Sequence, residues 1–290
     1  MMTQHVVSND DLGMVNRRRW EIERRMMEGT LDPSFVARNF QLTAEGVSLQ
    51  PAVTIPAIVS PFFANEEVAS DLVYPTGYAV KPMCEQLIPL VPHFPKLNPD
   101  PILSCAKELP QLPVGAEGAF VIPKWQKVAA TYNDATEMVL FALAKTRILN
   151  NWRQGKLGQK YLKLSERTER AHQMLDQKYP GDYLLIFAQL GLTWRGRSVR
   201  KVRVNYAPHE FGLGPYETGI ILISHPERLS GNSGELCMDC PGGEYAPPEA
   251  NGRFSGAPYF GGRDGELHFG TGSVDGPCSD FGYASGLLPQ

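Results

Sequence analysis

The 290-residue chain contains no hydrophobic run long enough to cross a membrane. Its longest unbroken apolar stretch, Met138 to Ala144, has seven residues, whereas a membrane-spanning helix needs about 20. The first residues, Met1 to Asp11, are polar and lack the basic and then apolar layout of a secretory signal. We therefore expect a soluble, cytoplasmic protein without a membrane partner, whose oligomeric state stays open.

Cysteine is also scarce. Five residues are too few and too scattered for a disulfide framework in a chain of this size. The odd number leaves at least one of them unpaired. The sequence therefore predicts reduced thiols at Cys84, Cys105, Cys237, Cys240 and Cys278.

Motifs of several common enzyme classes are missing. The segment Gly212-Leu-Gly214 lacks the third glycine of a dinucleotide-binding loop. The chain has no phosphate-binding loop ending in Gly-Lys-Ser or Gly-Lys-Thr, no GxSxG nucleophile turn and no HExxH zinc motif. No cofactor is therefore predicted.

Positive charge is present, and it is concentrated in one segment. Between Lys145 and Arg203 the chain has 14 basic and four acidic residues, a net charge of +10. The rest has 14 basic and 27 acidic residues, a net of −13, and the whole chain carries −3. Such a segment indicates an anionic partner, unless the acidic remainder neutralises it within the fold.

A cationic ridge is predicted on a helix from about Lys156 to Lys178. A core-facing stripe recurs at alternating steps of four and three residues: Leu157, Tyr161, Leu164, Thr168, Ala171 and Leu175. One position earlier, the same steps place five cations along one side: Lys156, Lys160, Lys163, Arg167 and Arg170. Their spacing of about 5–6 Å approximates that of phosphates on a nucleic-acid strand. The alternative is a solvated face, softened by Glu166 and Glu169.

A second basic group follows between positions 194 and 203. It consists of Trp194, Arg195, Arg197, Arg200, Lys201 and Arg203. Guanidinium groups bind phosphate bidentately, and Gly196 would let a ligand approach the backbone. With the ridge, this group predicts an electropositive surface for nucleic acid or an acidic protein partner. It matches no RRM or KH signature, and internal pairing is the alternative.

A second hypothesis for the function is a hydrolase-like enzyme. His209, Glu210, His225 and Asp239 supply the residue types that general acid–base or metal-assisted hydrolysis requires. Their spacing matches no diagnostic motif. Binding without catalysis is therefore the primary prediction, and catalysis is the alternative.

A zinc site is a further alternative around Cys237 and Cys240. The other residues with suitable side chains are His225, His268 and Cys278. A structural zinc site normally uses two paired knuckles, and the second pair is missing. If residues 235 to 240 form a strand, the two cysteines point to opposite faces. The sequence therefore favours buried thiols and no metal.

The predicted fold class is α+β, with helical N-terminal and central segments and a small, mostly antiparallel, glycine- and aromatic-rich sheet toward the C-terminus. Three segments are predicted: 1–50 helical, 51–123 proline-rich and wrapping, and 124–290 as the main core. The first contains helices at about 10–28 and 32–45, and the second extended chain with edge strands, because proline removes a backbone donor. One intertwined domain is an alternative.

Individual elements of the main core can also be predicted. A buried helix, apolar on every side, starts at Asn133 or Asp134 and ends near Asn150. Tyr183 to Ala188 has the length and composition of a buried strand. Glu266 to Phe269 is predicted to be one strand of the small C-terminal sheet. The run from Tyr216 to Ser224 fits either a strand or a helix that begins at Pro215.

Overall fold

A computed structural model of the chain describes residues 66–105, 110–250 and 252–289, without the side chain of residue 250. The two N-terminal helices predicted at about 10–28 and 32–45 lie outside these residues. Seven α-helices lie within the described part of the chain: α1 (Met83–Leu90), α2 (Asp100–Cys105), α3 (Trp125–Val128), α4 (Tyr132–Thr146), α5 (Glu166–Lys178), α6 (Val199–Asn205) and α7 (Pro215–Ser224). None of these seven has the length and apolarity that crossing a membrane requires.

The strands form two sheets. In chain order they are β1 (Gly118–Pro123), β2 (Leu149–Asn151), β3 (Leu162–Leu164), β4 (Tyr183–Gln189), β5 (Glu210–Gly212), β6 (Cys237–Asp239), β7 (Gly243–Tyr245), β8 (Gly256–Arg263), β9 (Glu266–Ser273), β10 (Phe281–Tyr283) and β11 (Ser285–Leu287). Most pairings are antiparallel, and helices and strands are interleaved. The predicted α+β class is confirmed.

The first sheet has the strand order β1-β4-β11-β5, and all its pairings are antiparallel. Every residue of β4 is buried, which confirms the buried strand predicted from its apolar run. Strand β1 pairs with β4 along its whole length and lies at the edge of the sheet. The proline-rich segment thus contributes an edge strand, as predicted, together with two short helices.

The second sheet carries the glycine- and aromatic-rich residues of the C-terminal part. Its order is β10-β6-β8-β7-β3, with β9 beside β8 and β2 beside β9. The β10–β6 and β2–β9 pairs are parallel, and the others are antiparallel. A tight turn joins β8 to β9, and its central residues Asp264 and Gly265 have φ angles of 55° and 82°. Positive φ at both positions is the geometry that matches the strand twist of a hairpin.

Helix α7 forms the centre of the core. All ten of its residues are buried, and it contacts α1, α4 and β1. The run from Tyr216 is therefore a helix rather than a strand. It begins at Pro215, and its first turn is capped by Glu217, whose carboxylate accepts from the backbone N–H of Gly214 at 3.0 Å. It ends before His225, because the following proline disfavours helical geometry.

The prediction of a helix from Lys156 to Lys178 is wrong for the first half of that range. Helix α5 begins only at Glu166, where the Ser165 hydroxyl caps it by accepting from Thr168 N–H. Residues 155–161 are turns and coil, and β3 follows them and pairs with β7. The five predicted ridge cations therefore do not share one helix face.

Helix α4 also differs from its prediction. It spans Tyr132–Thr146, with Thr131 rather than Asn133 or Asp134 as the capping residue. It is not buried on every side, because Met138 is 44% exposed and Phe141 is 65% exposed. The chain after it forms β2 instead of a last helical turn, since pairing with β9 satisfies the backbone there.

Candidate functional site

The second basic group lies on α6 and on the turn before it. Val199 and Val202 of α6 are buried, and Ser198 caps the helix by accepting from Lys201 N–H at 3.1 Å. This packing holds the helix against the protein body. The cations of the group are named here the arginine segment (Arg195, Arg197, Arg200, Lys201 and Arg203), and all of them except Arg203 bond to the chain at 66–72.

Two carboxylates pair with three cations of the arginine segment. The Arg200 guanidinium donates to both carboxylate oxygens of Glu66, at 3.1 and 3.2 Å from Nε. Arg197 Nε lies 3.4 Å from Glu67 Oε1, and Lys201 also pairs with Glu67. The hydrogen bond from Lys201 lowers the pKa of Glu67, which keeps this carboxyl ionised.

Backbone carbonyls engage the other two arginines. Arg195 donates to Leu72 O at 2.7 Å. Arg203 donates to Pro241 O and to Gly243 O, both at 2.8 Å, and burial lowers the pKa of its guanidinium. The arginine segment therefore bonds to its own chain through every one of its cations.

Trp194 and Gly196, which neighbour these cations in the sequence, also bond to the protein itself. Trp194 Nε1 donates to Glu210 at 2.6 Å, and the guanidinium of Arg197 covers the indole at 5.0 Å from the ring centroid. Gly196 has φ of 71°, and its carbonyl accepts from Val68 N–H at 2.7 Å. The backbone that approaches this glycine is thus the protein's own, where the sequence predicted a ligand.

The first three ridge cations lie between β2 and the end of β3. Lys156, Lys160 and Lys163 are exposed. With Trp152, Arg153 and Tyr161 they form what is named here the loop surface (Trp152, Arg153, Lys156, Lys160, Tyr161 and Lys163). The indole of Trp152 is 62% exposed. Among the described residues, no carboxylate lies within ion-pair distance of Arg153, Lys156 or Lys160, whereas Lys163 pairs with Glu244 at 2.9 Å.

Aromatic rings accompany the cations of the loop surface. Lys160 Nζ lies 4.6 Å from the Tyr161 ring centroid, and Lys163 Nζ lies 4.5 Å from that of Phe254. The Tyr161 ring stacks on Tyr245 with centroids 6.4 Å apart. Arg153 reaches the same Tyr245 ring at 5.6 Å. Arg153 and Lys160 are therefore linked through the stacked rings of Tyr245 and Tyr161, and Lys163 forms a separate pair with Phe254.

The last two ridge cations, Arg167 and Arg170, border a groove of about 700 Å³. Arg167 Nε donates to Glu210 O at 2.6 Å, and Arg170 pairs with Glu166 at 3.3 Å. The charged side chains that line the groove are Lys163, Glu166, Arg167, Arg170, Glu210 and Glu244. Three cations face three carboxylates, so the groove has no excess of positive charge.

The four residues of the hydrolase hypothesis lie in different surroundings. His209 and Glu210 share a cavity of about 290 Å³, but the Glu210 carboxylate is held by Trp194 and by Ser285 Oγ at 2.6 Å. His225 is buried, accepts from Lys81 N–H at 3.0 Å through Nε2, and contacts Ser224 through Nδ1. Burial lowers its pKa to about 4.

The remaining member, Asp239, lies on β6 in the second sheet. It bonds to Tyr283, and burial raises the pKa of its carboxyl well above the usual range. Within the described residues, the hydrogen-bond partners of the His225 side chain differ from those of Glu210 and of Asp239. The structure therefore brings only His209 and Glu210 of these four to one cavity.

The zinc alternative has no geometric support in the described chain. No group of three or more His, Cys, Asp or Glu side chains there could hold a metal ion. His225 uses both ring nitrogens in hydrogen bonds, and His268 contacts Trp152 and Glu266. Burial raises the pKa of Cys237 to about 11 and that of Cys240 well above its usual value, so both thiols stay protonated. Cys278 is a free, half-buried thiol.

One buried cluster was missed in the sequence. His172 on α5 is 4% exposed and its Nε2 lies 3.4 Å from Glu217 Oε1 of α7. Glu217 Oε2 accepts from Tyr132 O–H at 2.9 Å. A signal was available, because His172 follows Thr168 by four residues and precedes Leu175 by three. It therefore falls on the predicted core-facing stripe of the helix.

No protein-family model, curated protein or solved structure matches this chain.

Proposed function

We propose that the protein binds a single strand of nucleic acid through the loop surface. The observation that carries this proposal is the exposure of Lys156 and Lys160, which have no described carboxylate within ion-pair distance, in the same segment as the exposed indole of Trp152. Cations of this kind attract phosphates, and an exposed indole offers a base a stacking face. This combination is typical of proteins that bind single strands without sequence preference.

The arrangement of the rings supports a strand rather than a duplex. Aromatic side chains stack on bases that are free of a partner strand, and such stacking contributes about 1–3 kcal/mol per base. Trp152 and Tyr161 lie at the two ends of the segment that carries Lys156 and Lys160. A flexible strand could contact the exposed indole of Trp152 and these two lysines, whereas the bases of a duplex are already stacked.

The arginine segment is not part of this proposal. Its cations are bonded to Glu66, Glu67 and backbone carbonyls. Contact with phosphate would require those bonds to break, which leaves buried groups without partners at a cost of about 1–3 kcal/mol each. Lys156 and Lys160 of the loop surface need no such rearrangement.

Salt-dependent binding tests the proposal. A labelled single strand and its duplex are titrated with the full chain, by fluorescence anisotropy, between about 50 and 200 mM salt. We expect the single strand to bind more tightly, with affinity that falls steeply as salt increases. The double variant Lys156→Gln/Lys160→Gln should reduce the salt slope by about 1.4, which is about 0.7 for each lost phosphate contact.

A matched control changes the same charge elsewhere. Lys96→Gln/Lys178→Gln removes two exposed lysines outside the loop surface and should leave the slope unchanged. Equal slopes for the two double variants would reject the loop surface as the interface. Equal affinity for polyglutamate and for the single strand would instead indicate an acidic protein partner and overturn the proposal.

A further inference from the structure

A second pocket lies between α3, α4 and α5, next to the loop surface, of whose cations Lys163 lines the pocket and Lys156 and Lys160 do not. Its volume is about 460 Å³, within the range of about 300–1,000 Å³ that is typical of small-molecule sites. The lining side chains that matter here are Trp125, Tyr132, Gln159, Glu169, His172 and Gln173. The pocket therefore combines two aromatic rings with several groups that form hydrogen bonds.

His172 is the residue in this pocket that most needs a partner. It lines the pocket although its side chain is only 5% exposed. Nδ1 has no partner within the described chain, and Nε2 has only Glu217 Oε1 at 3.4 Å, without the geometry of a hydrogen bond. A buried polar atom without a partner costs about 1–3 kcal/mol, so an orphan imidazole at a pocket wall indicates a ligand or a bound water.

The neighbours of His172 fix its hydrogen-bonding role. Its Nε2 faces Glu217 Oε1 at 3.4 Å, and Glu217 is itself held by Tyr132 O–H and by Gly214 N–H. A carboxylate at this position favours the tautomer with the proton on Nε2. Nδ1 then carries a lone pair and can accept one hydrogen bond from a ligand.

The other walls offer a flat face and mixed polar edges. The indole of Trp125 is half-buried and lies perpendicular to the Tyr132 ring, with centroids 6.1 Å apart. Gln159 and Gln173 contribute amides, each with a donor and an acceptor, and neither bonds to a described residue. A planar ring with donors and acceptors along its edge matches these features better than a flexible or fully apolar molecule.

We infer that this pocket binds a nucleobase, carried by a nucleoside or by a nucleotide of a strand. The ring would lie against Trp125, and its edge would donate to His172 Nδ1 and exchange hydrogen bonds with the two glutamine amides. This inference does not depend on the proposed function of the loop surface, because a free nucleoside has no phosphate for the lysines to bind.

Nucleoside titration tests the inference. Adenosine, guanosine, cytidine and uridine are each added to the full chain, and the ring signals of His172 are followed by NMR. We expect saturable shifts of these signals with at least one nucleoside. His172→Gln should weaken that binding by at least about tenfold, whereas His93→Gln, at a half-buried histidine outside the pocket, should leave it unchanged.

A second variant guards against misfolding of the first. Gln173 is exposed, so Gln173→Ala should keep the fold and still weaken nucleoside binding severalfold. The variant Lys156→Gln/Lys160→Gln should bind nucleosides like the wild type, which separates this test from that of the loop surface. Absence of His172 shifts with all four nucleosides would overturn the inference, as would tighter saturation by glucose than by any nucleoside.

Discussion

The arginine segment and the loop surface have similar charge in the sequence but opposite roles in the structure. Arg195, Arg200 and Arg203 bond to carbonyls and carboxylates of the protein itself. Lys156 and Lys160 extend into solvent. The net charge of +10 that the sequence assigns to residues 145–203 is therefore divided between internal bonding and a surface.

The difference follows the chemistry of the two side chains. A guanidinium has five donors in a fixed fork and can bond two carbonyls at once, whereas an ammonium is strongly hydrated and favours solvent. Arg203 bonds the carbonyls of Pro241 and Gly243, and Arg228 does the same with Leu190 and Leu236. Arg203 and Arg228 thus serve internal bonding, whereas Lys156 and Lys160 carry exposed charge.

The largest expected effect comes from two glycines, one in each region. Gly196 and Gly155 have nearly the same φ, 71° and 70°, but an added Cβ would lie 2.2 Å from Val68 O at Gly196 and would meet nothing within 4 Å at Gly155. Gly196→Ala should lower the free energy of unfolding by about 3–5 kcal/mol, and Gly155→Ala by about 1–2 kcal/mol. Urea unfolding followed by circular dichroism measures both. Equal losses would show that residues 66–72 do not pack tightly on the arginine segment.

The second largest expected change in the free energy of unfolding is that of Arg203→Leu, which is compared with Lys156→Leu. Arg203→Leu should lower the free energy of unfolding by about 2–4 kcal/mol, because two buried carbonyls lose their donors. Lys156→Leu should change it by less than about 0.5 kcal/mol. The same urea titration measures both variants. A loss for Arg203→Leu as small as that for Lys156→Leu would contradict the internal role of this arginine.

Two adjacent carboxylates provide a smaller contrast within the arginine segment. Glu66 is buried and bonds to Arg200 and Ser198, so Glu66→Gln should cost about 1–3 kcal/mol of unfolding free energy. Glu67 is largely exposed, and Glu67→Gln should cost less than about 1 kcal/mol. Thermal unfolding of the two variants beside the wild type checks the order. A reversed order would mean that the buried pair is not formed in solution.

The smallest effect is a change in one titration. The pKa of Glu67 lies below its ordinary value of 4.5 because Lys201 donates to it. Its stabilising contribution is therefore present above that ordinary value and is lost as the pH falls through the lowered pKa. In an NMR titration, Lys201→Gln should raise the midpoint of Glu67, whereas Lys156→Gln should leave it in place. An unchanged midpoint of Glu67 in Lys201→Gln would show that the ion pair between Lys201 and Glu67 does not form in solution.

The sequence predicts best those elements whose conformation is determined by their own residues. Strand β4 was predicted because seven apolar or neutral residues in a row fit burial on both faces. The turn at Asp264 and Gly265 is equally local, because both residue types tolerate positive φ. In both cases no distant residue is needed to decide the conformation.

Elements that depend on distant partners were not predicted. Leu157, Tyr161 and Leu164 continue the helical spacing of α5 by coincidence, and the pairing of β3 with β7 excludes Leu164 from the helix. Ser165 followed by two glutamates in the next four residues is a start signal that outweighs this periodicity. The pocket at His172 depends on contacts with α4 and α7, which no local pattern in α5 encodes.

The position of β11 has a consequence for how the protein forms during translation. This strand lies between β4 and β5, although the ribosome releases both of them first. Until residues 285–287 emerge, the facing edges of β4 and β5 have no partner, and unpaired edges are prone to join strands of other chains. The nascent chain therefore holds an incomplete sheet while residues 213–284 are added, and the sheet closes only when Gly286 reaches its place between Ala188 and Phe211.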